Sequence, residues 1–155
     1  MPALDEHRRR ETGNELQTTL VELVDLSLIG KQLHWNIVGR PFKPLHEHLD
    51  ELVDSWRELS DTVAERAVAL GIAPDGQSGT VSAGSEIEPV DAGTLDTDTA
   101  LRELVARLAD VTERIRGRMD RLGDIDLASQ DVLVEVVREL EKQLWMIRAS
   151  QPATT

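Results

Sequence analysis

The chain has 155 residues, with 17 Lys and Arg against 29 Asp and Glu, for a formal net charge of −12. Its length suits one domain with a core of its own, and with three Trp, one Phe and no Tyr that core must be aliphatic. The lack of Cys excludes disulfides, a thiolate nucleophile and Cys-ligated zinc or iron–sulfur sites; no apolar run approaches the roughly 20 residues that span a bilayer; and the negative charge disfavours sequence-independent binding to phosphate backbones while suiting a protein that handles cations.

Residues 1–9 read as a polar tail without the apolar stretch of a signal peptide, so a cytoplasmic location is expected. A first helix is predicted over 10–38. Leu16, Leu20, Leu23 and Ser27 step by three or four along one face, which continues to Lys31, His34 and Trp35. Gly39, Pro41 and Pro44 end it. A second helix is predicted over 44–71, with Leu45, Leu49, Leu52, Trp56, Leu59 and Val63 as its apolar stripe and Gly71 and Pro74 closing it. From 72 to 96 the period vanishes among Gly, Ser, Asp and Pro. A loop this long inside a compact domain calls for a reason. A crossover supplies one, letting the third helix start at the far end of a bundle; a short helix is placed in it around Ser85–Ala92. The third helix starts among the capping residues Asp96–Thr99. It carries Leu101, Leu104, Leu108, Val111, Ile115, Met119 and Leu122, and stops at Gly123. The fourth spans 128–148, with Val132, Val136, Leu140, Leu144 and Ile147 on one face, and the uncharged residues 150–155 are expected to be disordered. The fold class is all-α: a ferritin-like four-helix bundle over 10–149 with a long crossover between its second and third helices.

The four histidines are His7, His34, His46 and His48, none of them in the last two helices. A di-iron site inside one bundle, which needs a Glu-x-x-His motif on each of two helices, is therefore excluded in that form. The first half offers another pattern. His46 and Asp50 are four apart on the second helix, as are Asp61 and Glu65, so each pair shares a face. Imidazole with carboxylates and no sulfur suits iron, manganese or zinc. The midpoints of the pairs lie 15 residues apart, about 22 Å along a helix, too far for one metal within one subunit. Two copies of this helix lying antiparallel across a two-fold axis near Ser55–Trp56 would bring one chain's His46 and Asp50 to the other's Asp61 and Glu65, twice per dimer. The plainer alternatives are a solvated acidic face for Asp61 and Glu65, and a core or capping role for His34. His48 reads as surface and His7 as part of the tail.

The run Lys31-Gln-Leu-His-Trp-Asn-Ile-Val-Gly39, then Phe42, Leu45-His-Glu47, Leu49-Asp-Glu51 and Asp61-Thr-Val-Ala-Glu-Arg-Ala67, resembles the Dps family of miniferritins, the DNA-binding proteins from starved cells. Arg138-Glu-Leu-Glu-Lys-Gln-Leu-Trp145 is similar to the family's last helix. The resemblance spans roughly 16–148. It implies a bacterial homododecamer, hollow and built from two-fold dimers, that oxidises Fe²⁺ at intersubunit two-iron ferroxidase centres, preferably with hydrogen peroxide and otherwise with oxygen. Ferric mineral is stored inside, protecting against oxidative damage. By position, His34, His46 and Asp50 would come from one subunit, and Asp61 and Glu65 from its partner. Asp61, Glu65 and His34 would hold the tighter iron, with His46 and Asp50 helping to place the second. Lys31 and Trp35 flank His34 at positions that support the ligands in the family; Trp35 reads as packing, with electron donation to a stray oxidant as the other role. Acidic pores at three-fold axes would admit iron. Asp131 matches the family position, with Asp120, Asp124 and Asp126 in the turn before it.

The resemblance departs from the family name at the termini. Arg8, Arg9 and Arg10 are offset by Asp5, Glu6 and Glu11, and the C-terminal tail is uncharged. Weak or no DNA binding is therefore expected at physiological salt. The alternatives are a nucleoid-compacting, DNA-binding stress protein with secondary iron chemistry, and a cage whose intersubunit site holds zinc or manganese structurally.

Overall fold

Asp5 opens the first helix: its carboxylate accepts the Arg8 amide at 2.9 Å, placing negative charge at the positive end of the helix dipole. In this computed structural model, which describes residues 4–151, α1 accordingly runs Glu6–Asn36. The segment expected to be a polar tail is helical from Glu6, steadied by an Arg9–Glu6 ion pair at 2.6 Å. Residues 1–3 lie outside the described residues. The chain continues through β1 (Ile37–Val38), α2 (Phe42–Ala69), α3 (Ser78–Gly84), β2 (Leu95–Asp96), α4 (Thr97–Leu122) and α5 (Leu127–Ser150). Of the expected C-terminal tail, Ser150 closes α5, and residues 152–155 lie outside the described residues.

The four long helices form the bundle. α1 packs along α2 and α4 along α5, with α1 against α4 and α2 against α5 completing it. The α1–α2 approach is close because Gly30 sits at the crossing. A Cβ there would stand 2.6 Å from Val53 Cγ2 and 2.8 Å from Trp56 Cζ3, so a side chain could enter only by displacing the buried indole. Trp56 is fully buried, and its Nε1 donates to Gln143 Oε1 at 2.8 Å, joining α2 to α5. The rest of the core is aliphatic, as the composition requires.

Gly71 ends α2 with φ +76°, a conformation that favours glycine. The Ile72 amide reaches back to the Ala67 carbonyl and the Gly71 amide to that of Val68, both at 2.9 Å, the Schellman arrangement. The crossover then returns to the opposite end of the bundle. Its short helix lies at Ser78–Gly84, earlier than the expected Ser85–Ala92, and the physical reason is local. The Asp75 carboxylate accepts the Gln77 amide at 3.0 Å and the Thr80 hydroxyl at 2.7 Å, while the Gln17 amide group pairs with both backbone groups of Asp75. Over 85–92, Pro89 offers no amide donor, and the Glu88 and Pro89 carbonyls accept instead from Arg107 at 2.7 and 2.8 Å. The crossover ends by pairing β2 in parallel with β1, Ile37 opposite Leu95 and Val38 opposite Asp96. Asp96 then caps α4 through the Thr99 amide at 2.8 Å. The end of α1, the start of α2 and the start of α4 thus share one end of the bundle; the end of α2 and the start of α5 share the other. Among the described residues no helix is long and apolar enough to cross a membrane.

Candidate metal centre

His34 lies in the last turn of α1 and His46 in the second turn of α2, across the short link between them. Their rings stack, with centroids 3.7 Å apart and planes 13° from parallel. His34 Nδ1 lies 2.6 Å from the His46 carbonyl oxygen, and His46 Nδ1 lies 2.8 Å from the His34 carbonyl oxygen. A carbonyl oxygen only accepts, so both Nδ1 atoms carry the proton and donate. In the neutral ring, each Nε2 is then left with the lone pair a metal needs. His34 is 7 % exposed, so burial and its hydrogen bond both hold the ring in place.

Asp50 completes a cluster at this end. One of its oxygens lies 3.6 Å from His34 Nε2, and it accepts a hydrogen bond from Lys31 Nζ. That bond holds the Asp50 carboxyl below the usual aspartate range, against a smaller opposing effect of burial. Lys31 therefore has a definite contact with a candidate ligand. Trp35 does not behave as packing within this chain: it is 68 % exposed. With Leu28, at 55 %, it forms an exposed apolar stripe two turns long beside Lys31. His48, expected at the surface, is half-buried and faces Glu51 at 3.6 Å; His7 faces Glu11 at 3.4 Å on the exposed first turns of α1.

Asp61 and Glu65 lie far along α2 from this cluster, both exposed. Among the described residues neither makes a hydrogen bond or an ion pair, and no three His, Asp or Glu side chains come together to hold a metal ion. Yet the helix is continuous. At 100° per residue, His46, Asp50, Asp61 and Glu65 fall within an arc of about 100°, one face of α2. The chain thus places His46 and Asp50 each beside His34 without closing them into a metal-holding set, and leaves Asp61 and Glu65 on the same face of α2, out of reach.

The two acidic residues assigned to a pore part company. Asp131 is exposed on the second turn of α5. Asp126 caps that helix, accepting the Ser129 amide at 3.2 Å and Arg66 Nη2 at 2.8 Å, with its side chain 12 % exposed. Burial raises its carboxyl, but the hydrogen bonds from Ser129 and Arg66 outweigh it and leave the group below the usual aspartate range. The sign follows: a group lowered in the folded state stabilises above its unfolded value and loses that contribution as pH falls through its folded value. Asp126→Ala is expected to lower unfolding stability by about 2 kcal/mol at neutral pH. In thermal melts at matched protein concentration, the gap to wild type should close as the pH drops below the usual aspartate range.

Two residues of the motif runs quoted above carry contacts that their place in the sequence did not assign. Phe42, at the first position of α2, stacks on His46 with centroids 4.9 Å apart and planes 22° from parallel; its placement four residues before His46 was the available signal. Arg66, next to Glu65, also donates to Ser129 Oγ at 2.9 Å and so fixes the end of α2 to the start of α5.

This is the class of structure called the ferritin-like domain, whose family model matches residues 13–151. The "DNA protection during starvation protein" of Mycolicibacterium smegmatis is 35 % identical over 151 residues, covering 96 % of this chain and 81 % of the relative. A crystal structure of Mycobacterium smegmatis Dps superposes with TM-score 0.94 at 32 % identity, covering 99 % of this chain and 93 % of that one. The structure of Dps from Microbacterium arborescens "in the high iron form" gives TM-score 0.88 at 31 % identity, covering 95 % and 97 %. Within the ferritin-like proteins, the chain belongs to the Dps family.

Proposed function

We propose that the protein is an iron-oxidising, iron-storing miniferritin whose ferroxidase centre is shared between two copies of the chain. The observation that carries this reading is the divided ligand set. His34, His46 and Asp50 lie near one another at one end of α2, while Asp61 and Glu65 stand exposed on the same face of that helix, without a hydrogen bond or ion pair among the described residues. An isologous contact between two α2 helices would join one chain's cluster to the other's carboxylates, twice per dimer. The exposed Leu28–Trp35 stripe beside Lys31 supports a second copy at this face, since apolar surface of that kind marks contact sites. The high-iron structure of a relative supports iron as the substrate.

Neutral imidazoles and carboxylates bind Fe²⁺, and the anionic oxygens favour Fe³⁺ more strongly because its charge is higher. Two neighbouring ferrous ions give hydrogen peroxide two electrons together; with two protons it leaves as two waters, and no hydroxyl radical is released. The chain's residues hold and orient the ions: Lys31 keeps Asp50 anionic, and the backbone carbonyls fix the two imidazole tautomers. In this reading the copies form a hollow cytoplasmic dodecamer. Iron enters past Asp131, and Asp126 serves chiefly as a helix cap.

The test is anaerobic Fe²⁺ loading followed by peroxide, monitored by ferric absorbance and protein-bound iron. Asp61→Ala with Glu65→Ala is expected to slow oxidation by about 100-fold with the assembly unchanged. Oxidation as fast as wild type would remove the site assignment. The second reading, a DNA-binding stress protein with secondary iron chemistry, draws on the relative's name, which speaks of DNA protection during starvation. The net charge of −12 opposes it. A gel-shift titration at about 150 mM salt is expected to show no tight complex with duplex DNA.

A further inference from the structure

We propose that Phe42 is a positioning residue for His46, its ring holding the imidazole from the face opposite His34. The proposal rests on the metal-centre reading above and adds to it a residue that touches no metal.

His46 is the middle of three rings. Phe42 lies on one face with centroids 4.9 Å apart, and His34 on the other at 3.7 Å. Phe42 and His46 are four apart on α2 and so share a helix face. The outer torsion of a histidine side chain is broad and roughly two-fold, so a half-buried imidazole left alone would sample both ring orientations. Only one of them aims Nδ1 at the His34 carbonyl and frees Nε2. The hydrogen bond at 2.8 Å chooses that orientation. The two flanking rings keep it, because the imidazole cannot turn without pushing one of them aside. His34 is held independently, by burial and by its own bond to the His46 carbonyl. Loss of Phe42 should therefore fall on His46 and spare His34.

The variants are Phe42→Leu, which keeps apolar volume and removes the flat face, and Phe42→Tyr, which keeps the face. Each is titrated anaerobically with Co²⁺, followed by its visible absorption, beside wild type and His46→Ala, with assembly checked by light scattering. The expected result is that Phe42→Leu weakens by about tenfold the Co²⁺ step that His46→Ala abolishes. The remaining step should stay within about twofold of wild type, and Phe42→Tyr should restore both. A crystal structure of Phe42→Leu should show the His46 ring in more than one orientation. Equal Co²⁺ affinities in wild type and Phe42→Leu, or equal weakening of both steps, would overturn the proposal. Wild type taking up no Co²⁺ would instead overturn the metal-centre reading on which it rests. Should Phe42→Leu fail to reach the wild-type assembly, Phe42→Met takes its place. Loss of assembly in both, with Phe42→Tyr intact, would make Phe42 an interface residue and end the proposal.

Discussion

Glu22→Gln is expected to lower the unfolding free energy by about 3–5 kcal/mol, the typical result of removing one partner from a buried ion pair. Glu22 is fully buried in α1 and takes two guanidinium groups from α4. Arg114 donates Nε to its Oε2 at 2.7 Å, and Arg118, itself 5 % exposed, donates to Oε1. The partly exposed Arg114 also reaches Glu86 in the crossover at 3.5 Å. Without the Glu22 charge, two guanidinium groups would share one neutral amide oxygen where two carboxylate oxygens now receive them, and Arg118 would stay buried with a long contact to the Thr19 hydroxyl, at 3.4 Å, beside it. Glutamine keeps the shape and removes the charge, so the loss would be electrostatic rather than a cavity. The apparent melting temperature, at fixed protein concentration because assembly contributes to it, should fall by roughly 10 °C. The double variant Glu22→Leu with Arg118→Met should recover much of the loss, since buried ion pairs are often replaceable by packed apolar groups. A Glu22→Gln melt within about 2 °C of wild type would mean that water already screens the cluster.

Nothing in the local sequence marks Glu22. It lies beside Val21 and Leu23 in an acidic chain, and its partners are 92 and 96 residues away. α1 is buried on several faces, from Thr12 and Leu16 through Glu22 to Gly30 and Leu33, so a single apolar stripe understates what it packs against. The other long helices were legible because each buries one face: the stripe of Leu45, Leu49, Leu52, Trp56, Leu59 and Val63 in α2 is buried throughout, with Val53, Ser60 and Ala67 beside it. The caps at Asp96 and the stop at Gly71 were legible for their chemistry. α3 was misplaced because Ser-Gly-Thr-Val-Ser-Ala-Gly has no period of its own; Asp75 and the distant Gln17 organise the turn before it. In the candidate site, residue type and spacing on α2 singled out His46, Asp50, Asp61 and Glu65 as candidates, and the unbroken helix places all four on one face. The stacked, mutually hydrogen-bonded arrangement of His34 with His46 depends on the link between helices, which no spacing reveals.

Mixing two inactive variants is expected to restore activity, and the amount restored reports where the site lies. In the proposed centre each site takes His34, His46 and Asp50 from one chain and Asp61 and Glu65 from the other, so each dimer has two sites. A dimer of His34→Ala/His46→Ala chains lacks imidazole at both, and a dimer of Asp61→Ala/Glu65→Ala chains lacks the second carboxylate pair at both. In a mixed dimer the losses do not spread evenly. One site receives both defects, while the other receives intact histidines from one chain and intact carboxylates from its partner. Co-refolded in equal amounts, half of the dimers are mixed and each carries one good site, so about a quarter of the wild-type oxidation rate should return. A site built within one chain would recover none. The distances within the chain favour the first outcome: α2 is unbroken from Phe42 to Ala69, so His46 and Glu65 stand about 28 Å apart along it, beyond any single metal's reach. A mixture as inactive as its parents, with light scattering showing mixed assemblies, would end the shared-site reading while leaving the fold untouched.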